Sequence, residues 1–169
     1  MTFSTIILAA AKSIGVPGAL LLAICTHESN LTNVMVPHDN GSPSYGLCQI
    51  KHDTAKSLGF EGNPTGPLQE SEELPGTMEP KGKPEGLMAP DINAKYAAMY
   101  LKMQLERYEG DWCKATSAYN SGTYNPSKTL PGKPRNLMYI KRVVLHLDEK
   151  HKDFLICGPR KVEDEHTKP

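Results

Sequence analysis

The chain has 169 residues, of which 38% are hydrophobic and 22% are charged, so it is long enough for one globular domain with a buried core. Its 19 Lys and Arg residues balance its 19 Asp and Glu residues. This balance and the absence of a basic block in the sequence exclude the usual electrostatic signature of a nucleic-acid partner.

The first two predicted helices lead to an acidic residue. Residues 4–14 favour a helix, and Pro17 begins a second helix that runs to about residue 30. The apolar residues of the second helix share one stripe, formed by Leu20, Leu21, Ile24 and Cys25. Glu28 follows one turn after this stripe, so its carboxyl is predicted to lie against apolar side chains. Because lost hydration disfavours the charged form, such burial would raise the pKa of Glu28.

The middle of the chain is rich in residues that form turns. Residues 32–45 favour turns, with short extended pieces expected at 34–36 and 47–50 and a brief helix at 52–59. The next segment, 62–90, is rich in proline and glycine. That composition predicts an irregular insert rather than a second domain.

Three further helices are predicted in the C-terminal half, over 91–108, 111–120 and 134–150. The first of them carries an apolar stripe made of Ile92, Tyr96, Met99 and Met103. The polar residues 159–169 are expected to form a frayed tail. Residues 1–158 are thus predicted to form a single, mainly α domain with a small β ribbon.

Neither the cysteines nor the histidines form a metal-binding pattern. Cys25, Cys48, Cys113 and Cys157 are too widely spaced for a zinc signature. The six histidines include no His-x-x-x-His pair, so no metal or cofactor is predicted. The cysteines are expected to be small buried hydrophobic residues. A disulfide bond is the alternative, and the sequence alone does not choose its pairing.

Four short motifs follow one another along the chain, and each by itself fits an ordinary helix end, turn or amphipathic helix. They are Glu28-Ser29, Gly46-Leu47-Cys48-Gln49-Ile50, Ala118-Tyr119-Asn120-Ser121-Gly122 and Tyr139-Ile140-Lys141-Arg142-Val143. Their order and content, after the run Gly15-Val16-Pro17, resemble the soluble lytic transglycosylases from about residue 6 to about residue 150. Cys25 and Cys48 fall in two of the matching segments and are expected to lie close together.

The resemblance implies a lysozyme-like α+β fold with a groove for glycan strands. Enzymes of this family cleave the bond between N-acetylmuramic acid and N-acetylglucosamine in peptidoglycan and leave a 1,6-anhydro end. By analogy, Glu28 is expected to act first as the acid and then as the base. The residues expected around the sugars are Gln49, Tyr119, Asn120 and Tyr139, with Ser44 as a further candidate.

The sequence departs from the family pattern at three places. Cys48 replaces the usual methionine, a change that should repack without loss. The segment 62–90 is longer than the family requires, and forms either a groove wall or a mobile surface insert. Asp39 lies where goose-type lysozymes, which share the fold, carry an Asp-x-Gly run and add water to the same bond. Two carboxyls roughly 6.5–9.5 Å apart would leave room for that water. Asp39 is therefore one of two things, a second carboxylate that helps the water to attack or only a turn residue.

Other functions stay open besides the transglycosylase. One is a muramidase that hydrolyses the same bond, and another is a non-catalytic wall-binding module of a phage tail or secretion machine. The apolar run near the N-terminus is too short to span a bilayer and lacks a basic flank, so neither a signal peptide nor stable membrane insertion is predicted. The expected partner is the peptidoglycan glycan strand. The protein is expected to be a monomer. It would reach the cell wall in a phage particle, by lysis or by a non-standard secretion route.

Overall fold

The computed structural model describes residues 1–158, and the predicted tail 159–169 lies outside them. This part of the chain contains seven α-helices, five short strands and two 3-10 turns. The helices are α1 Phe3–Ile14, α2 Gly18–Ser29, α3 His52–Ser57, α4 Pro90–Arg107, α5 Trp112–Ser121, α6 Leu137–Val144 and α7 Glu149–Lys152. The strands are β1 Met35–Asp39, β2 Ser42–Tyr45, β3 Ile50–Lys51, β4 Leu68–Glu70 and β5 Met78–Pro80. The predicted mainly α class with a small β component is confirmed.

Helix α2 lies at the centre of the core, packed against α1, α4 and α6. It follows Pro17, and ends where Asn30 adopts the left-handed conformation at φ 51°. Its predicted apolar stripe is confirmed, because Leu20, Leu21, Ile24 and Cys25 are all fully buried. Burial of these side chains fixes the rotation of the helix and therefore the direction of Glu28.

The buried face of α4 differs from the predicted one. Met103 of the expected stripe is 38% exposed, and the face that packs against α1 and α5 is one position further along. Its fully buried members are Asn93, Ala94, Ala97, Ala98, Leu101 and Gln104. The small alanine side chains let neighbouring helices approach closely, so packing on both sides outweighed the larger side chains of the expected stripe.

The strands form one antiparallel sheet in the order β3-β2-β1-β5-β4. Strands β4 and β5 belong to the segment 62–90 and extend the sheet through the pairing of Met35 with Met78. This corrects the prediction of an irregular insert, since part of the segment is regular and pairs with β1. Pro80, which cannot donate a ladder hydrogen bond, is the last residue of β5 and pairs with Leu68 of β4.

The last predicted helix is broken in two. Helix α6 ends in tightened turns in which the N–H groups of residues 145–147 bond to carbonyls three residues earlier. Asp148 is extended, with ψ 160°, and α7 begins after it. The break allows both Leu147 and Leu155 to be buried, so core packing decides against one long helix over 134–150.

The cysteines are paired, contrary to the expectation of free buried thiols. Cys25 bonds to Cys48 with a Cα–Cα distance of 4.1 Å, and Cys113 bonds to Cys157 with a Cα–Cα distance of 5.3 Å. The expected closeness of Cys25 and Cys48 is confirmed. Within residues 1–158, no helix combines the length and the apolar character needed to cross a bilayer.

Candidate active site

Glu28 is the penultimate residue of α2 and faces a cleft between the sheet and α5. The cleft has a volume of about 390 Å³. Among the predicted site residues, its lining includes Glu28, Asp39, Gln49, Tyr119 and Asn120. Next to Glu28, the Ser29 hydroxyl donates a 2.7 Å hydrogen bond to the carbonyl of Leu47. This bond ties the end of α2 to the loop that forms the cleft floor.

The carboxyl of Glu28 has a pKa raised to about 7. Burial is the main cause, since it disfavours the charged form, and the negative charge of Asp39 raises the pKa further. The Tyr139 hydroxyl donates a 2.5 Å hydrogen bond to Glu28 Oε1 and acts in the opposite direction. The balance leaves the carboxyl partly protonated near neutral pH, which suits a group that must both give and take a proton.

His27 packs behind Tyr139, with the two ring centroids 5.0 Å apart in an edge arrangement. The pKa of His27 is lowered by burial and by the neighbouring His146 and Arg142. A neutral imidazole at this position provides packing for Tyr139 without placing a positive charge beside the carboxyl.

The loop between β2 and β3 is held at Cys48 from three directions. The N–H of Cys48 donates to Asn93 Oδ1 at 2.9 Å, and the carbonyl of Cys48 accepts from the Tyr119 hydroxyl at 3.1 Å. Its sulfur is bonded to Cys25 of α2. Each attachment comes from a different element, so the loop position is fixed relative to Glu28 on α2.

Gln49 follows in the left-handed conformation, with φ 49°. Its amide nitrogen donates to the carbonyls of Val34 and Gly46, at 3.0 and 2.8 Å. The amide nitrogen is thus used to hold the loop, and within residues 1–158 the amide oxygen accepts no hydrogen bond. Gln49 therefore presents an acceptor, rather than a donor, to a ligand in the cleft.

Asn93 is a positioning residue that sequence reasoning missed. It is fully buried in α4, and besides its bond to Cys48 it donates to the carbonyls of Tyr45 and Leu87 at 2.7 and 2.8 Å. The sequence signal was a polar residue between Ile92 and Ala94 of an apolar helix. A buried amide must find partners, and here those partners are Tyr45 and Cys48, on either side of Gly46, and Leu87.

Gly46 and Asn93 fit each other so closely that a side chain at residue 46 has no space. A Cβ on Gly46, at φ 72°, would lie 2.4 Å from Asn93 Nδ2, whereas a Cβ on Gly41, at φ 89°, would meet nothing within 4 Å. We expect Gly46→Ala to lower the free energy of unfolding by about 3 kcal/mol or more, and Gly41→Ala by only about 1 kcal/mol. Urea denaturation measures both. Equal losses would mean that the left-handed backbone alone, and not the contact with Asn93, accounts for the effect.

Ser44 and Tyr139 do not line the cleft, although both were expected to contact the sugar. Ser44 has no exposed surface, and its hydroxyl donates to Asp39 Oδ2 at 2.5 Å. Tyr139 makes the corresponding bond to Glu28. The two residues thus share a role that the sequence did not indicate, which is to hold one cleft carboxyl each.

Asn120 is fixed by the loop that precedes α6. Its side-chain oxygen accepts from Asn136 Nδ2 at 3.0 Å, and the same Asn136 amide bonds to the carbonyl of Ser117 at 3.0 Å. The Ser117 hydroxyl donates to Asn136 Oδ1 at 2.6 Å. Asn136 therefore orients Asn120 toward the cleft from behind. In the part of the chain that the structure describes, no three His, Cys, Asp or Glu side chains converge to hold a metal ion.

The chain is similar to one solved structure and to one family profile. One solved structure similar to this chain is the X-ray structure of an inactive mutant of the lytic transglycosylase Slt from Pseudomonas aeruginosa, with a TM-score of 0.46 and 18% sequence identity. The match covers 89% of this chain and 22% of that chain, so this chain spans less than a quarter of its length. The sequence profile described as the transglycosylase SLT domain matches residues 5–135, which are most of the chain. The chain therefore belongs to the transglycosylase SLT domain family.

Proposed function

We propose that the chain is a peptidoglycan lytic transglycosylase that cleaves the β-1,4 bond between N-acetylmuramic acid and N-acetylglucosamine. The observation that carries the proposal is Glu28, a carboxyl with a pKa of about 7 in the cleft of an SLT domain. Such a carboxyl is protonated often enough to act as an acid and ionised often enough to act as a base.

The reaction uses the same carboxyl twice. Glu28 gives its proton to the glycosidic oxygen, and the bond from that oxygen to C1 of the muramoyl residue breaks. The carboxylate then takes the proton of the muramoyl C6 hydroxyl, and the C6 oxygen bonds to C1. No water is consumed, the proton returns to Glu28, and the product ends in 1,6-anhydro-N-acetylmuramic acid.

The neighbouring residues have distinct parts in this proposal. Tyr139 orients Glu28 through the bond to Oε1. Gln49 offers its amide oxygen to sugar hydroxyl or amide N–H groups. Asn120 lines the opposite wall next to Tyr119, whose hydroxyl is used to hold the cleft floor. Peptidoglycan strands are the proposed substrate, and a monomer suffices because one chain supplies every one of these groups.

Mass spectrometry of the products from purified peptidoglycan tests the proposal. Anhydro-muramoyl ends, one water lighter than reducing ends, are the expected result. Reducing ends would instead favour a muramidase, for which the presence of Asp39 in the cleft is the supporting observation. No cleavage of several different walls would leave a non-catalytic wall-binding module.

The pH dependence of cleavage gives a second test of the role of Glu28. Because the acid must be protonated, kcat/KM is expected to fall as the pH rises through about 7. Tyr139→Phe removes a hydrogen bond that favours the charged form, so the pKa of Glu28 rises and the fall moves to higher pH. Asp39→Asn removes a negative charge that favours the protonated form, so the fall moves to lower pH. Initial rates of dye release from labelled peptidoglycan measure the profiles, and shifts in the same direction would contradict this assignment of charges.

The two disulfide bonds support action outside the cytosol, since disulfides persist in oxidising surroundings. The cell wall is such a place. We propose that the protein works there.

A further inference from the structure

Asp39 is the second carboxyl of the cleft, and its position results from an irregularity in the sheet. The register between β1 and β2 shifts between Val36 and Asp39. Such bulges turn a side chain in a new direction, and here Asp39 lines the same cleft as Glu28. The negative charge of Asp39 acts on Glu28 and raises its pKa, so the two groups are electrostatically coupled.

The carboxyl of Asp39 has three partners, two in its own hairpin and one in β3. Oδ2 accepts from the Ser44 hydroxyl at 2.5 Å and lies 3.6 Å from Lys51 Nζ. Oδ1 accepts from the Asn40 amide at 3.2 Å. Both oxygens therefore have a partner within the protein.

Lys51 is held in place by the same hairpin. Its ammonium donates to the Ser42 carbonyl at 3.3 Å and to the Ser42 hydroxyl at 3.0 Å, and also to the backbone carbonyl of Asp39. The cation is thus fixed beside Oδ2 rather than free in solvent. Its side chain is 33% exposed, and it lines the cleft together with Asp39 and Ser42.

The chemistry of the two possible outcomes differs in what Asp39 must do. Addition of water requires a second carboxylate that takes a proton from the water as its oxygen bonds to C1. Closure of the 1,6-anhydro ring requires no such base besides Glu28. The Asp39 carboxylate accepts hydrogen bonds from Ser44 and Asn40 and has the Lys51 ammonium beside Oδ2, so fewer positions remain at which a water could donate to it.

We infer that Lys51, supported by Ser44, is a residue that determines the reaction outcome, because it keeps Asp39 from activating water and so favours ring closure by the C6 hydroxyl. The inference rests on the proposed function. Asp39 is then neither a general base nor only a turn residue, but a cleft carboxylate that Lys51 keeps from activating water. Lys51 itself is a positioning residue, since it acts through Asp39 and not on the sugar.

The test compares product ratios from intact peptidoglycan, in which reducing and anhydro muramoyl ends are counted by mass spectrometry. Lys51→Met keeps the length of the side chain and removes the charge, and we expect the share of reducing ends to rise at least about tenfold, which corresponds to about 1.4 kcal/mol in the partition between the two routes. Ser44→Ala releases the same carboxylate oxygen from the opposite side and is expected to shift the ratio in the same direction.

Lys51→Met combined with Asp39→Asn should restore the wild-type ratio, because the base itself is then absent. Lys56→Met, which changes an exposed lysine of α3, is the matched control.

The outcomes separate this inference from the proposed function. Wild-type products with anhydro ends and unchanged ratios in both single variants would overturn the role of Lys51 and leave the transglycosylase intact. A raised share of reducing ends that persists in the double variant would also overturn it, since Asp39 would not be the base. Reducing ends from the wild type, or no cleavage, would overturn the proposed function and the inference with it. If Lys51→Met does not fold, Ser44→Ala alone decides.

Discussion

Glu28→Gln is expected to reduce the rate of glycan cleavage by about 10³-fold or more, since one carboxyl performs both proton transfers and general acid or base catalysis contributes about 10²–10⁴-fold. A glutamine has nearly the same shape, and its oxygen still accepts the hydrogen bond that the Tyr139 hydroxyl gives to residue 28. The fold is therefore expected to remain, with an unchanged melting temperature. The measurement is the initial rate of release of soluble fragments from peptidoglycan.

Glu61→Gln is the matched control, because Glu61 is exposed and outside the cleft lining, and its rate should equal that of the wild type. If Glu28→Gln retained more than about a tenth of the wild-type rate, Glu28 would not be the essential acid. Asp39, the other carboxyl of the cleft, would then be the residue to substitute.

The two disulfide bonds are expected to differ in what their removal does. The first closes a segment with a sequence separation of 23 and the second one with a separation of 44. Loop-closure entropy predicts losses of about 3 and about 4 kcal/mol in the free energy of unfolding for the Cys25→Ala/Cys48→Ala and the Cys113→Ala/Cys157→Ala variants. Activity should fall strongly only in the first pair, since Cys48 carries the loop that forms the cleft floor.

For the Cys25→Ala/Cys48→Ala protein we expect a loss of about tenfold to 100-fold in kcat, measured at a temperature where both variants are folded by circular dichroism, because a small displacement of positioned groups has effects of this size. The Cys113→Ala/Cys157→Ala protein is the control for a lost disulfide elsewhere in the core. Equal kcat values for the two folded variants would show that the bond between Cys25 and Cys48 serves stability alone.

Local sequence patterns predicted the helices well where burial and capping signals agreed. Helix α1 ends at Gly15 in the left-handed conformation, and α5 begins after the side-chain cap of Asp111, as the sequence indicated. These features depend on a residue's own backbone preferences and on neighbours within one turn. The face of α4 was mispredicted because the choice between two adjacent stripes depends on the helices that pack against it.

The strands of the segment 62–90 were missed for a related reason. Proline and glycine lower the intrinsic tendency to form strands. Strand β5 nevertheless forms, because Met78 pairs with Met35 at the edge of β1. Pairing with an existing sheet supplied the hydrogen bonds that the local sequence could not. The cysteine pairing was likewise undetermined, because Cys113 and Cys157 are brought together only when the chain turns after α6.

The sequence by itself determined which helix carries Glu28, that its carboxyl lies beside an apolar stripe, and which family the motifs belong to, since these follow from spacing along one helix and from short ordered motifs. Only the tertiary structure decided which groups hold each carboxyl. Tyr139 reaches Glu28 across a separation of 111 residues, and Ser44 turned out to be buried behind Asp39. The physical reason is that hydrogen bonding and burial act over a few ångströms in space, and long-range packing alone sets which distant residues come within that range.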